Sequence, residues 1–191
     1  MTGRRGRLAA AALAAGLLSG IALGPTASIA DSPPEPAGYR MEDYRAPTPA
    51  RLAGAKVLSN EAAHELWVQK AARFIDVLPR PPKPKELPEG TLWRPPPRDN
   101  IPGSVWLPNV GFGALNPETE AYFRSNLQRI TSGDSDAPIV IYCLADCWMS
   151  WNAAKRSLAL GYRNVYWYPE GTDGWAAAGW PLEAATAVPL E

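Results

Sequence analysis

Apolar positions fall into two kinds of run along this chain, and their alternation sets the expected fold. At Ala63, Leu66, Trp67 and Ala71 they recur at helical spacing, which predicts a helix from an N-cap at Ser59 or Asn60 to about Ala72, with Trp67 in the core. A short strand at Lys56-Val57-Leu58 precedes it, and a strand over Arg73-Phe74-Ile75-Asp76-Val77 follows. Asn116-Pro117-Glu118 opens a second helix, with a capping amide, proline at the first helical position and an acid in the first turn. That helix should run to about Ile130, turning Phe123, Leu127 and Ile130 inward, before an exposed polar loop from Thr131 to Ser135. Ile139 to Tyr142 is apolar without alternation, as a strand covered on both faces must be. From Met149 a helix with Ala153, Ala154, Leu158 and Leu160 as its apolar positions continues until Gly161 ends it. Asn164 to Tyr168 is one more strand, and a short helix around Gly174 to Ala178 closes the domain. This order predicts one α/β domain over residues 56–185, with a parallel central sheet and helices on both faces.

Two stretches lack such periodicity. Residues 31–55 carry Pro33, Pro34, Pro36, Pro47 and Pro49 and are expected to form an extended, poorly ordered arm, packing through Tyr39, Met41 and Tyr44. Pro79 to Pro108 holds ten of the chain's 21 prolines, including Pro81-Pro82 and Pro95-Pro96-Pro97, a density that forbids helix and central strand. An ordered surface insertion over residues 79–100 is expected, pinned by Leu92 and Trp93; a structural loop and a PxxP ligand both fit it. Ile101 to Pro108 reads as a tight turn delivering a short strand.

The N-terminus changes the picture of location. Arg4, Arg5 and Arg7 lead into an apolar run from Leu8 to Leu23 and then Ala27-Ser28-Ile29-Ala30, the order of a signal peptide over residues 1–30, cleaved near Ala30. The run is Ala-rich and short for a membrane span, so no stable membrane anchor is expected after cleavage. Cleavage takes three of the 19 basic residues and none of the 19 acidic ones, leaving a mildly acidic chain. That argues against nucleic acid as a partner, which calls for a basic face.

Candidate chemistry concentrates in Ile139-Val140-Ile141-Tyr142-Cys143-Leu144-Ala145-Asp146-Cys147-Trp148-Met149-Ser150-Trp151-Asn152, where a strand runs into the only two cysteines and then a helix. Backbone N–H groups and the positive end of a helix converge at such a junction, and Cys143 falls there. Cys147 follows four residues later, so a turn or first helical turn would put both thiols within reach of a disulfide. One reading is a reversible dithiol, with Cys143 attacking and Cys147 resolving; the other is a structural staple in an exported chain. Two cysteines and His64, distant in sequence, are too few soft ligands for a closed zinc centre, and His64 reads as a surface or capping residue. Trp151, Trp167, Trp175 and Trp180 read first as core, whereas the loop position of Trp148 predicts exposure; together the indoles could line a flat pocket for a redox cofactor. Asp76 is expected to bond loop backbone beneath the site, and Glu170 and Asp173 to cap the last helix.

Phe74-Ile75-Asp76-Val77, Ile101-Pro102-Gly103-Ser104, the strand ending in Cys143, Ser150 opening a helix, Gly161-Tyr162, Asn164-Val165-Tyr166, Trp175 and Ala178-Gly179-Trp180-Pro181 together resemble a rhodanese homology domain, from about Val57 to Leu182. The run Tyr142 to Asn152 more narrowly resembles the exported rhodanese-like family with a cysteine-pair-tryptophan (CXXCW) motif, associated with catabolism dependent on pyrroloquinoline quinone (PQQ). The resemblance implies a periplasmic accessory protein of PQQ-dependent alcohol oxidation, with a quinoprotein dehydrogenase or cytochrome c as partner. It also implies a loop in which the backbone of Leu144, Ala145, Asp146, Trp148, Met149 and Ser150 cradles an anion or a persulfide on Cys143, supported by Asp76 and Trp151. The departures carry weight. Ser150 lies seven residues after Cys143 where a sulfurtransferase loop has six, and Trp148 and Met149 stand where an anion-binding arginine belongs. Asp146 adds a negative charge beside the thiol, and Asn100 replaces a histidine often found before the Ile-Pro-Gly turn. Efficient thiosulfate sulfurtransferase activity is not expected; thiol-disulfide or persulfide redox chemistry is. The alternative is a non-catalytic cofactor-binding or assembly factor for a quinoprotein dehydrogenase or its cytochrome.

Overall fold

The structure, a computed structural model, describes Thr2 and residues 32–190. The signal-peptide reading and its cleavage near Ala30 therefore lie outside the described residues. Eleven elements follow in the order β1 (Lys56–Val57), α1 (Asn60–Val68), β2 (Arg73–Asp76), β3 (Asp99–Asn100), β4 (Val105–Trp106), α2 (Pro117–Thr131), β5 (Ile139–Tyr142), α3 (Trp148–Ala159), β6 (Val165–Tyr168), α4 (Gly171–Ala177) and β7 (Glu183–Ala184). Five strands form a wholly parallel sheet in the order β1-β6-β5-β2-β4, while β3 and β7 pair as a small antiparallel ribbon.

The sheet is central because β5 is apolar at every position and is covered on both faces. Ile139 and Ile141 pack into a cluster with Phe123 and Leu127 of α2 and Trp151, Ala153 and Ala154 of α3. Val140 and Tyr142 point the other way, into a cluster with Ala63 of α1, Tyr168 of β6 and Trp175 of α4. Neighbouring β6 divides likewise, Val165 and Trp167 to the first face, Tyr166 and Tyr168 to the second.

Local chemistry fixes the helix ends. Ser59 accepts the Ala62 N–H and caps α1, and Asn116 accepts the Thr119 N–H at α2, where Pro117 stands first in the helix. α1 stops at Val68, short of the expected Ala72, because Lys70 turns left-handed at φ 51°. The Ala71 N–H then reaches the Leu66 carbonyl and the Lys70 N–H that of Trp67, closing a Schellman motif. Ala71 is consequently exposed rather than part of the buried stripe. α3 begins one residue earlier than expected and ends as the glycine predicted, with Gly161 left-handed.

Both proline-bearing stretches differ from expectation. Residues 32–55 are not a loose arm: they lie as a strap along α3, hydrogen-bonded to it at several points. Tyr39 and Tyr44 contribute, but Met41 stays 60 % exposed. In the insertion Leu92 is 82 % exposed and pins nothing, and the half-buried Trp93 leaves its Nε1 without a partner. The segment is anchored instead by Arg98, which is buried, and by β3. Among the described residues no helix is long and apolar enough to cross a membrane.

Candidate functional site

β5 delivers Cys143 to the carboxyl end of the sheet, where the chain must turn to enter α3. The Cys143 carbonyl is held by three donors, two from α4 and one from the segment that leads into β3. These are the Thr172 N–H at 3.1 Å, the Thr172 hydroxyl at 3.4 Å and Arg98 Nη2 at 3.4 Å. Gly171 makes this approach possible. It sits at φ 50°, and a Cβ there would collide with the Cys143 carbonyl. Leu144, Ala145 and Asp146 form the turn, with Asp146 left-handed at φ 49° and exposed. Cys147 returns as the N-cap residue of α3, 6.2 Å Cα to Cα from Cys143, and the two are disulfide-bonded, a separation ordinary for such a bridge.

The pair is covered. Cys143 is 0 % and Cys147 2 % exposed, because the strap pairs with the loop as a short antiparallel bridge between Arg45 and Cys147. The Ala46 N–H donates to the Asp146 carbonyl at 3.1 Å, and the Trp148 N–H donates to the Tyr44 carbonyl at 2.9 Å. Arg45 adds a bond from Nη1 to the Ala145 carbonyl at 2.8 Å. Trp148, expected to be exposed, is 3 % exposed. The reason is the strap: its indole N–H donates to the Pro47 carbonyl, the Arg40 guanidinium lies 5.2 Å above its ring, and Trp151 packs edge-on below.

The loop amides have specific partners. That of Ala145 donates to the Asp173 carboxylate at 3.1 Å, that of Trp148 to Tyr44, and that of Ser150 to the Cys147 carbonyl at 3.3 Å. Ser150 is fully buried, its hydroxyl donating to the same carbonyl and accepting from the Trp167 indole. Met149 is buried against the 110–112 segment, close enough that a Cβ on Gly111 would meet its main chain. Asp173 thus serves the cysteine loop instead of capping α4, whose N-cap residue Glu170 makes no capping bond. His64 is neither a cap nor a free surface residue: it is half-buried and stacks on Trp180, ring centroids 4.1 Å apart.

Beneath the loop lies a buried ion pair. Asp76, at the end of β2, accepts Arg98 Nε at 2.7 Å and the Leu78 N–H at 2.9 Å. Arg98 also reaches the Thr172 hydroxyl at 3.2 Å and so ties β2, β5 and α4 together under Cys143. Burial pushes the Asp76 carboxyl above its usual range, against the pull of the Arg98 guanidinium and the Leu78 amide. The neighbouring Tyr142 hydroxyl accepts the Ile101 N–H and donates to Ser104, and burial holds it well above the ordinary phenol range.

The structure therefore brings Cys143, Cys147, Trp148, Ser150, Trp151 and Asp76 around one strand end. Arg98, Thr172 and residues 45–47 belong to the same region and were not foreseen; Tyr44 was expected only to pack on the domain, and Asn152 closed the candidate stretch without an assigned role. One signal could have found Arg98: it is the basic residue that leads from Pro95-Pro96-Pro97 into the Ile-Pro-Gly turn, where a stiff approach fixes its direction.

The profile of the rhodanese-like domain matches residues 62–178. No curated protein matches the chain. Among solved structures the chain is similar to a thiosulfate sulfurtransferase from Pseudomonas aeruginosa (18% identity, 70% of this chain and 21% of that one, TM-score 0.48). It therefore spans about a fifth of that protein's length. It is also similar to the polysulfide-sulfur transferase homodimer from Wolinella succinogenes (19%, 69% and 80%, 0.43) and to an uncharacterized protein from Saccharomyces cerevisiae (19%, 65% and 93%, 0.43).

Proposed function

The chain belongs to the rhodanese-like domain family, and from that premise we propose that Cys143 and Cys147 carry thiol-disulfide or persulfide redox chemistry in an exported accessory protein. The observation that carries this reading is the disulfide itself: the two cysteines are joined across the turn between β5 and α3. In the reduced pair the Cys143 thiolate attacks a substrate disulfide, forming a mixed disulfide and expelling one substrate thiolate. The Cys147 thiolate then attacks Cys143 Sγ, closing the Cys143–Cys147 bond and releasing the second thiolate. The substrate gains two electrons and the pair loses two. A persulfide on Cys143 ends in the same bond, with Cys147 attacking Cys143 Sγ and hydrosulfide leaving.

The loop composition supports redox use over thiosulfate chemistry, since it carries Asp146 and no arginine. Export to the periplasm, service to PQQ-dependent alcohol oxidation and a quinoprotein dehydrogenase or cytochrome c as partner complete the proposal; they rest on the resemblance of the Tyr142 to Asn152 run. Titration of the intact protein against dithiothreitol, read by alkylation and intact mass, tests it. A folded protein whose pair opens and closes near the potential of its compartment, with Cys147→Ser trapping a mixed disulfide or a persulfide, fits the reading. A pair that opens only when the protein unfolds overturns it.

The burial of both cysteines favours a second reading, in which the disulfide staples the loop and the protein binds a cofactor or a partner without catalysis. Replacing both cysteines by serine would then preserve binding to a quinoprotein dehydrogenase in a pull-down.

A further inference from the structure

We propose that a cavity at the amino end of the central sheet, the end opposite Cys143, binds an aliphatic carboxylate: one anionic head on an unbranched apolar body. The cavity is a notch in the sheet itself. β5 pairs with β2 from Arg73 onward, but β4 begins only opposite Ile75, so Arg73 and Phe74 have a strand on one side and none on the other. The chain reaches β4 through a turn, not as a continuing strand: the Ser104 N–H bonds the Ile101 carbonyl, and Gly103 is left-handed at φ 79°. The helices α1 and α2 end beside the gap, packed on opposite faces of the sheet. What remains is a cavity of about 540 Å³ walled by Trp67, Val68, Pro102, Val105 and Ile130, a size usual for a small-molecule site.

The polar groups of the notch favour a single negative charge. Lys70 and Arg73 line it, and among the described residues neither is in an ion pair. The main chain adds a donor, because alternate residues of a strand turn their hydrogen-bonding groups to opposite neighbours. Arg73 and Val77 donate to the Pro138 and Tyr142 carbonyls on the β5 side, and the Asp76 carbonyl accepts from Leu107 on the β4 side. The Phe74 N–H therefore faces the notch, with no residue of β4 opposite it. Glu183 reaches the same rim, where the Gly103 N–H holds its carboxylate at 2.7 Å. The Trp67 indole N–H is already taken by the Pro102 carbonyl at 2.8 Å. The remaining wall side chains are hydrocarbon, which suits a methylene chain and offers the hydroxyls of a sugar nothing to bond. Val68, 58 % exposed, gains cover from such a chain. The notch shares no residue with the cysteine loop, so the proposal stands whatever chemistry that pair performs.

The test titrates sodium decanoate, kept below its micellar range, into the full chain and follows binding by calorimetry and by amide resonances. The expected result is saturable binding that shifts the Phe74 and Gly103 amides and leaves those of Leu144 to Asp146 in place. Octanoate, with two fewer methylenes to bury, should bind about tenfold more weakly. Decan-1-ol, which keeps the body and loses the charge, should also bind about tenfold more weakly than decanoate. A chain carrying Lys70→Gln and Arg73→Gln, both exposed positions, should lose about tenfold in decanoate affinity and keep its affinity for decan-1-ol. Equal affinity for decanoate and either comparison ligand, decanoate binding indifferent to the double substitution, or no saturable shift at Phe74 overturns the proposal. The three ligands on the unaltered chain decide by themselves should the variant fail to fold.

Discussion

Arg98 is a cation buried under the cysteine loop, and its removal leaves a buried carboxylate without its counter-ion. Arg98→Met strands Asp76 in the interior, which should cost about 3–5 kcal/mol of stability in chemical denaturation, whereas pairing it with Asp76→Asn should recover most of the loss. The pH dependence has a defined sign. With the guanidinium gone, burial is opposed only by the Leu78 amide and raises the folded-state value of Asp76 further, so the folded chain binds the proton more tightly than the unfolded one. The stability of Arg98→Met should therefore approach that of the parent near the usual carboxylate range and fall behind as pH rises through the raised value, checked by denaturation at stepped pH. Gly171→Ala meets a different obstacle, a left-handed φ and the Cys143 carbonyl, and should destabilise by more than about 1 kcal/mol in the same assay. At this scale the sequence was legible where a residue's role is local. Cys143 and Cys147 lie four apart, within reach of each other across a turn, and Asn116 declares itself as a cap, while the first helix start narrows to Ser59 or Asn60. Arg98 pairs with a residue 22 positions away and with another 74 away, and the proline run beside it marks the residue but names neither partner.

Among the elements, β5, its loop and α3 were readable because an unbroken apolar run followed by two cysteines and an Ala-bearing helix permits few arrangements. The strap was not, because most of its bonds are made by main-chain N–H and carbonyl groups, which nearly every residue has. Trp148 was misread for the same reason: its cover comes from Pro47, 101 residues earlier. The cover has a kinetic signature. Ala46→Pro removes the N–H that the Asp146 carbonyl accepts, and a hydrogen bond worth about 1 kcal/mol should translate into several-fold faster reduction of the disulfide by a phosphine, followed by timed alkylation. Unchanged reduction kinetics would mean that the strap does not limit access. In the other stretch, the proline density correctly excluded helix and central strand, but it could not say which residue would anchor the segment, since Leu92 and Trp93 looked better suited than a charged side chain.

For the whole molecule, stability rests on a sheet packed on both faces, and the disulfide closes only a short loop. Opening a bridge with a sequence separation of 4 should lower stability by about 2 kcal/mol while the far-ultraviolet circular dichroism stays that of the folded chain. The alternation of strand and helix made this architecture legible, since a fully apolar β5 has only one kind of home. What stayed hidden was the long-range wrapping, and that wrapping has a bearing on order in time. The strap is synthesised before everything it touches: Arg40 must wait for Asn152, 112 residues later. Contacts so distant close late, after the local elements have formed. On that order the two thiols should pair while the loop is still uncovered, and the strap, made before the rest of the domain, should be laid down last over a bridge it did not help to make.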